Sequence, residues 1–273
     1  MILGLTAALA WGAGDFGGGL TSRRAPVYGV VLVSQVVGML VSFGIAAALG
    51  ESLPSGRDLV VCFVAGVLGA AGITFLYRGL AIGRMGIVAP VTGVLAAVIP
   101  VVAGFVTEGI PGPIVVTGIV VAVVAVVLVS RVADESGGPS GLREALIAGT
   151  TIGLFGVAIA QLSEGNVFSA LSVIRLFQGL IVVAAVLVTR SSWRPGPSVV
   201  PALVVVGLLD TAGNALYLQA VQTGQLAIAS VLSAMYPVAT VVLAMLFLRE
   251  PMTRDHLVGI VLAGVAIAMI AAG

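Results

Sequence analysis

Charge is scarce in this chain. Asp, Glu, Lys and Arg make up 8% of its 273 residues, against 60% apolar ones. That balance leaves too little polar surface to cover a water-soluble globule of this length. Lysine is missing altogether, so all twelve basic residues are arginines. Cysteine occurs once, at Cys62, which excludes an internal disulfide and a thiolate metal site. Histidine also occurs once, as His256. No metal-ligand cluster and no water-accessible Ser/His/Asp triad can be assembled from such a set, so no enzyme activity, cofactor or metal is expected. Nucleic acid is not expected as a partner either.

What the chain has is long apolar runs, with a mean hydropathy of +1.24. Crossing roughly 30 Å of hydrocarbon takes about 20 residues in a helix, and runs of that length recur between short polar interruptions. Ten are read: 2–20, 28–49, 59–80, 86–107, 113–130, 143–163, 167–189, 198–219, 225–248 and 255–271. The first is a retained helix, not a cleaved signal, because no basic segment precedes it and the run continues past Ala8-Leu9-Ala10. The lipid bilayer is the solvent of this chain.

The two halves echo each other. LGAAGITFLYRGLAIGRMGIVA (68–89) aligns with LLDTAGNALYLQAVQTGQLAIA (208–229), and GVLAAVIP ending at Pro100 aligns with SVLSAMYP ending at Pro237. The offset is 140 residues through Tyr77/Tyr217 and 137 at the prolines, consistent with duplication and a small insertion. The expected organisation is a first five-helix repeat over 1–130, a Gly/Ser/Pro-rich linker over 131–142 and a second repeat over 143–273. Five spans per repeat make the second half enter from the opposite side of the membrane. The fold expected is therefore an all-α integral membrane protein of ten transmembrane helices in two inverted repeats, with binding near the midplane between them.

Arginine placement orients the chain. Arg23, Arg24, Arg78, Arg84, Arg131, Arg143, Arg190, Arg194, Arg249 and Arg254 flank the odd-numbered loops, and Arg57 alone lies on the even-numbered side. The positive-inside rule then puts the odd loops in the cytoplasm and both termini outside. Glu108, Glu164 and Glu250 fall at span ends as interfacial carboxylates.

Three ionisable residues fall inside spans: Asp15, Arg175 and Asp210. Each costs about 2.5–3.5 kcal/mol on insertion scales and so marks a functional site facing the protein interior. Arg175 and Asp210 are both roughly 12–14 Å from the even-loop face at 1.5 Å per residue, so they can meet. Asp15 lies deeper, within reach of the same cavity. Asn214 and Tyr217 follow Asp210 by one and two helical turns, forming a polar stripe. The repeat register maps this stripe onto Ala70, Thr74 and Tyr77, so only the tyrosine is shared.

A guanidinium suits an anionic group such as a carboxylate. A carboxyl in low dielectric can exchange a proton near physiological pH, which makes Asp210 or Asp15 the proton-linked group. The competing reading of Arg175 and Asp210 is an ion pair that only fixes helix packing. Trp11 is either packing or cavity wall, and Gln35, Gln178 and Gln219 read as interhelical hydrogen-bond partners. Pro90, Pro100 and Pro237 interrupt helices within spans, and Pro100 and Pro237 are read as a paired bend shaping the cavity.

Gly12-Ala13-Gly14-Asp15-Phe16-Gly17 spells GxGxxG, but inside an apolar helix it lacks the preceding strand of a dinucleotide site. The pairs Gly14/Gly18 and Gly149/Gly153 have the spacing of close helix contacts.

Ala10-Trp11-Gly12 in span one, an arginine within span seven, LAIASVLSAMYP entering span nine, and Arg249-Glu250-Pro251 before Gly259 resemble the EamA family of the drug/metabolite transporter superfamily. The resemblance covers the whole chain as two five-helix repeats. In this chain span two has Ser34-Gln35 near the place where Arg175 sits in span seven. The resemblance implies a multi-pass carrier in the inner membrane, often an exporter of amino acids or related small metabolites. The expected function is secondary-active transport by alternating access, with proton coupling open and oligomeric state unassigned. A channel or divalent-cation pathway through Asp15 and Asp210, and a non-transporting scaffold or sensor, are the alternatives.

Overall fold

The computed structural model describes residues 2–108, 112–135, 140–163, 165–222, 236–249 and 254–272, and it is helical throughout its regular structure. The helices are α1 (Ile2–Ser22), α2 (Val27–Leu49), α3 (Arg57–Ile82), α4 (Met85–Glu108), α5 (Pro113–Glu135), α6 (Leu142–Ile159), α7 (Val167–Thr189) and α8 (Val200–Gln222). They are followed by α9, which is α-helical over Tyr236–Leu243 and π-helical over Ala244–Leu248, and α10 (Arg254–Ala272). Most ends fall within a few residues of the apolar runs. Two differ more: α5 continues to Glu135, into the stretch read as linker, and α6 stops at Ile159.

Among the described residues, Val27–Leu49, Arg57–Ile82, Leu142–Ile159, Val167–Thr189 and Pro197–Gln219 are each long and apolar enough to cross a membrane. Shorter apolar helical stretches lie at Met85–Ile99, Pro113–Ala122, Tyr236–Leu248 and Leu257–Met269. With no water to satisfy peptide groups in hydrocarbon, helices close their own hydrogen bonds and turn apolar side chains outward. Leu40 and Phe43 of α2 and Leu180 and Leu187 of α7 are exposed in this way and form lipid-facing surface. This is a multi-pass membrane protein.

Small residues let the helices approach closely. Gly149 and Gly153 of α6 accept Leu95 and Ile99 of α4, and Gly72 of α3 accepts Ile152 of α6. Without a strong hydrophobic drive between helices in lipid, such close van der Waals contact is a main source of association.

Helix packing repeats between the halves. The α3–α6 contact is matched by α8–α1, α4–α6 by α9–α1, and α3–α7 by α8–α2, while α2–α7, α4–α9 and α5–α10 pair equivalent helices directly. In the α2–α7 pair, the Ser52 amide donates to Asn166 Oδ1 at 3.1 Å at one end. At the other end Gly29 packs on the Trp193 carbonyl, so these equivalent helices run antiparallel. Both also stop in the same way, with left-handed residues at Gly50 (φ 70°) and Arg190 (φ 50°). Glycine takes that conformation without a Cβ penalty, whereas arginine adopts it at a cost of about 1 kcal/mol.

Hydrogen bonds tie the helix ends on both faces. On the even-loop face Glu51 Oε2 accepts from the Ser169 amide at 2.8 Å, and Asp58 Oδ1 accepts from the Ser163 hydroxyl at 3.2 Å. On the odd-loop face Arg23 donates to the carbonyls of Leu80 and Gly83, both at 3.3 Å. Arg78 pairs with Glu144 at 3.5 Å. The interfacial arginines thus also fasten one helix to the next.

Candidate functional site

Helices α7 and α8 bring Arg175 and Asp210 together, with Nη2 and Oδ2 2.8 Å apart. From α2, Gln35 Oε1 accepts a hydrogen bond from Arg175 Nη1 at 2.9 Å, across a separation of 140 residues. The guanidinium therefore bridges a carboxylate and an amide instead of forking onto one carboxylate. Its remaining nitrogen, Nε, is buried and has no hydrogen-bond partner among the described residues.

Gly38, one helical turn after Gln35, makes room for this arrangement. A Cβ there would stand 2.8 Å from Arg175 Cζ and Nε and 2.6 Å from Thr211 Oγ1. Residues three apart share a helix face, so α2 presents an acceptor and a gap to the same guanidinium.

Asp210 is held at both oxygens. Asn214 Nδ2 donates to Oδ1 at 3.2 Å and to the Asp210 carbonyl at 2.8 Å. The Arg175 side chain is 3% exposed and that of Asp210 19%, so the pair is approached from the Asp210 side. Truncating one member of such a buried pair leaves an uncompensated charge, worth about 3–5 kcal/mol.

Tyr217, the next member of the stripe, meets Trp11 of α1 with ring centroids 5.6 Å apart. Trp11 also meets Tyr236 of α9 edge-on at 6.2 Å. Gly213 lies directly under the Trp11 indole, so a glycine on α8 sets the depth of that ring. Thr240 Oγ1 donates to the Gly12 carbonyl at 3.1 Å and fastens α9 to α1 beside it.

Asp15 stands one turn after Trp11 on α1 and is 8% exposed. Gly14, next to it on α1, packs close to the Asp210 amide, and Gly12, three residues before it, packs on the Tyr236 carbonyl. Tyr77 is 1% exposed and its ring is seated on Gly18. The Tyr236 hydroxyl is enclosed with no hydrogen-bond partner among the described residues.

The two carboxyls differ in their partners. Asp210 is engaged by Arg175 and Asn214, while Asp15 makes no hydrogen bond or ion pair among the described residues. With both carboxyls ionised the cluster holds two negative charges against one guanidinium.

The prolines sit elsewhere. Pro237 is buried against Gly93, and with Pro90, Ile260 and Ala263 it lines a small apolar pocket between α4, α9 and α10. Pro100 lies in α4, but its side chain is outside the described residues, as are those of Glu108 and His256. Glu164, Glu250, Pro251 and residues 226–235 of the stretch before Pro237 are outside them altogether. Gly12–Gly17 is helical, as the membrane reading of the GxGxxG run requires. Among the described residues no three His, Cys, Asp or Glu side chains come together as a ligand set.

The sequence alone points to Arg175, Asp210, Asn214, Tyr217, Tyr77, Asp15 and Trp11. Tyr236 and Gly38 carry no such mark in it, and Gln35 reads there only as a helix-to-helix bond. The repeat register held the signal for Gln35, which is the counterpart of Arg175.

The EamA-like transporter family matches residues 1–131 and 140–272 of this chain. No curated protein matches it. Among solved structures, a crystal structure described only as that of a protein is similar over 98% of this chain and 95% of its own, at 18% identity and a TM-score of 0.68. At that identity the likeness establishes the fold.

Proposed function

The chain belongs to the EamA-like transporter family, and from that membership and the geometry around Arg175 we propose that it is a secondary-active carrier of a small metabolite. In this reading ten membrane-spanning helices form two inverted repeats, 1–130 and 143–273, joined by a linker. The cluster of Asp15, Arg175 and Asp210, with Asn214, Tyr217, Tyr77 and Trp11, is the substrate and proton site; Pro237 shapes α9, which packs on α1 beside that cluster, and Pro100 bends α4, which packs on α9. The direction is export of an amino acid or related compound across the inner membrane, with both termini outside.

The observation that carries this reading is the ion pair at 2.8 Å, joined to Gln35 from the opposite half. One buried guanidinium ties a carboxylate of its own half to a neutral amide of the other. Intramembrane charges are costly and mark pathways by default.

A difference between the halves supports alternation. Helices α1 and α3 are packed together where Tyr77 sits on Gly18 and Leu80 on Gly19. Their counterparts, α6 and α8, have no comparable contact among the described residues. Tyr77 is buried, whereas Tyr217 is partly exposed. Inverted repeats that exchange such arrangements open alternately to the two faces.

A divalent-cation pathway is less well supported, because a guanidinium already occupies one of its two carboxylates. Hard divalent ions need six or more oxygen ligands. Proton coupling falls to Asp15, the carboxyl without a fixed partner.

The test is a thermal-shift screen of purified protein against small metabolites, followed by counterflow in proteoliposomes with each compound that raises the melting temperature. Trapped substrate should drive saturable uptake of labelled substrate. Flux that does not saturate and shows no counterflow indicates a channel, and no flux with any stabilising compound contradicts transport.

A further inference from the structure

We infer that the substrate carries a cationic nitrogen, which binds between the Asp15 carboxylate, the Tyr236 hydroxyl and the rings of Trp11 and Tyr217. This rests on the carrier reading and names the chemistry of that same site.

Charge balance is the first argument. Arg175 is committed to Asp210 and Gln35, so it neutralises one carboxylate and leaves Asp15 without a cation among the described residues. A buried charge without a partner is costly, and a ligand that supplies the missing charge recovers that cost on binding. A second anion would add to the imbalance.

The Tyr236 hydroxyl is the second argument, and it is independent of charge. Tyr236 is 9% exposed, and its oxygen is enclosed with no partner among the described residues. A phenolic oxygen buried without a bond loses its hydration for nothing, typically about 1–3 kcal/mol. Asp15 shares α1 with Trp11, whose ring meets that of Tyr236, and with Gly12, which packs on the Tyr236 carbonyl. An ammonium that donates one N–H to Asp15 can donate another to Tyr236 Oη.

The rings complete the site. Trp11 stands one turn before Asp15, with Tyr217 at 5.6 Å and Tyr236 edge-on at 6.2 Å. Indole and phenol faces attract cations within about 6 Å, by 0.5–2 kcal/mol per ring as water is excluded. Gly213 beneath the indole and Thr240 on the Gly12 carbonyl fix Trp11 relative to α8 and α9. An anchored aromatic wall beside an unpaired carboxylate suits a protonated amine and repels a carboxylate.

The test uses Trp11 as its own reporter. The chain has two tryptophans, so Trp193→Phe leaves Trp11 as the sole source of indole fluorescence. Detergent-solubilised protein is titrated with tetramethylammonium and with two probes that share a phenyl ring, phenethylamine and phenylacetate. The expected result is saturable quenching by both cations and none by phenylacetate. Asp15→Asn should weaken phenethylamine binding about tenfold or more, equivalent to about 1.4 kcal/mol. Tyr236→Phe should weaken phenethylamine but not tetramethylammonium, which has no N–H to donate.

Phenylacetate binding as tightly as phenethylamine, or no saturable response to either cation up to about 100 mM, overturns the inference. These outcomes need no variant, so they stand even where Asp15→Asn misfolds. Asp15→Glu, which keeps the charge, should retain the preference for cations. Cation-selective quenching without counterflow sinks the carrier reading alone, and counterflow of anions alone sinks this one.

Discussion

Gln35 and Arg175 occupy equivalent places in the two halves and hydrogen-bond to each other at 2.9 Å. A contact between equivalent positions lies on the axis relating the repeats. On that axis the two sequences could have been alike, and they are not: one half supplies a neutral acceptor and the other a fixed cation. Arginine at both places would set two guanidinium groups against each other inside the helix bundle. Removing the acceptor should therefore be costly. Gln35→Ala is expected to destabilise the protein by about 1–3 kcal/mol, the range for a bond to a charged group, read as a lower melting temperature of purified protein. Gln35→Glu should be better tolerated, because it keeps an acceptor facing Arg175.

The gap at Gly38 is a second test of the same packing. A Cβ at 2.8 Å from the guanidinium forces Arg175 or Thr211 to move. Gly38→Ala should lower the melting temperature by several degrees, as overpacking typically costs about 1–3 kcal/mol. Gly44→Ala on the same helix meets nothing within 4 Å and should be neutral or slightly stabilising.

Much of this site was legible because membrane depth follows from helical rise. Arg175 and Asp210 were at equal depth from one face, so their meeting could be read from residue numbers alone. Their partners could not, because Gln35 and Gly38 act through helix rotation and contact, which depth does not fix. Tyr236 was hidden in an apolar stretch, and its contact with Trp11 and its enclosed hydroxyl set it apart only in the fold. Among the described residues helix ends follow the apolar runs except at α5 and α6, and the start of the ninth run at 225 lies outside them. A backbone closes helical hydrogen bonds whether its side chains are apolar or charged, so α5 runs on through 131–135, and α6 turns at Ala160 before its apolar run is used up.

A purely structural ion pair and a working one separate on double replacement. Arg175→Met combined with Asp210→Leu removes both charges at similar volume, and such swaps are commonly neutral or stabilising by about 1–4 kcal/mol. The expected outcome is a folded double variant with normal elution and melting, and no counterflow. Transport at the wild-type rate would show that the pair serves packing alone.

The Tyr77 seat gives a prediction about access. Any side chain at Gly18 collides with the Tyr77 ring, so Gly18→Leu should prevent α1 and α3 from closing. Cys62→Ser removes the single cysteine, and Ser22→Cys then places a thiol at a buried position near the odd-loop end of α1. Labelling by a membrane-impermeant thiol reagent should be slow in that background and about tenfold faster once Gly18→Leu is added, as expected when a local contact of about 1.4 kcal/mol is lost.

Counterflow in proteoliposomes by Arg175→Ala and Asp210→Asn, with a compound that stabilises the wild-type protein, tests the proposed site most directly. Protein that elutes and melts as a folded species should retain less than about a tenth of wild-type exchange, the loss expected when at least 1.4 kcal/mol of a buried charge interaction is removed. Full exchange by both variants would contradict a substrate site at Arg175 and Asp210.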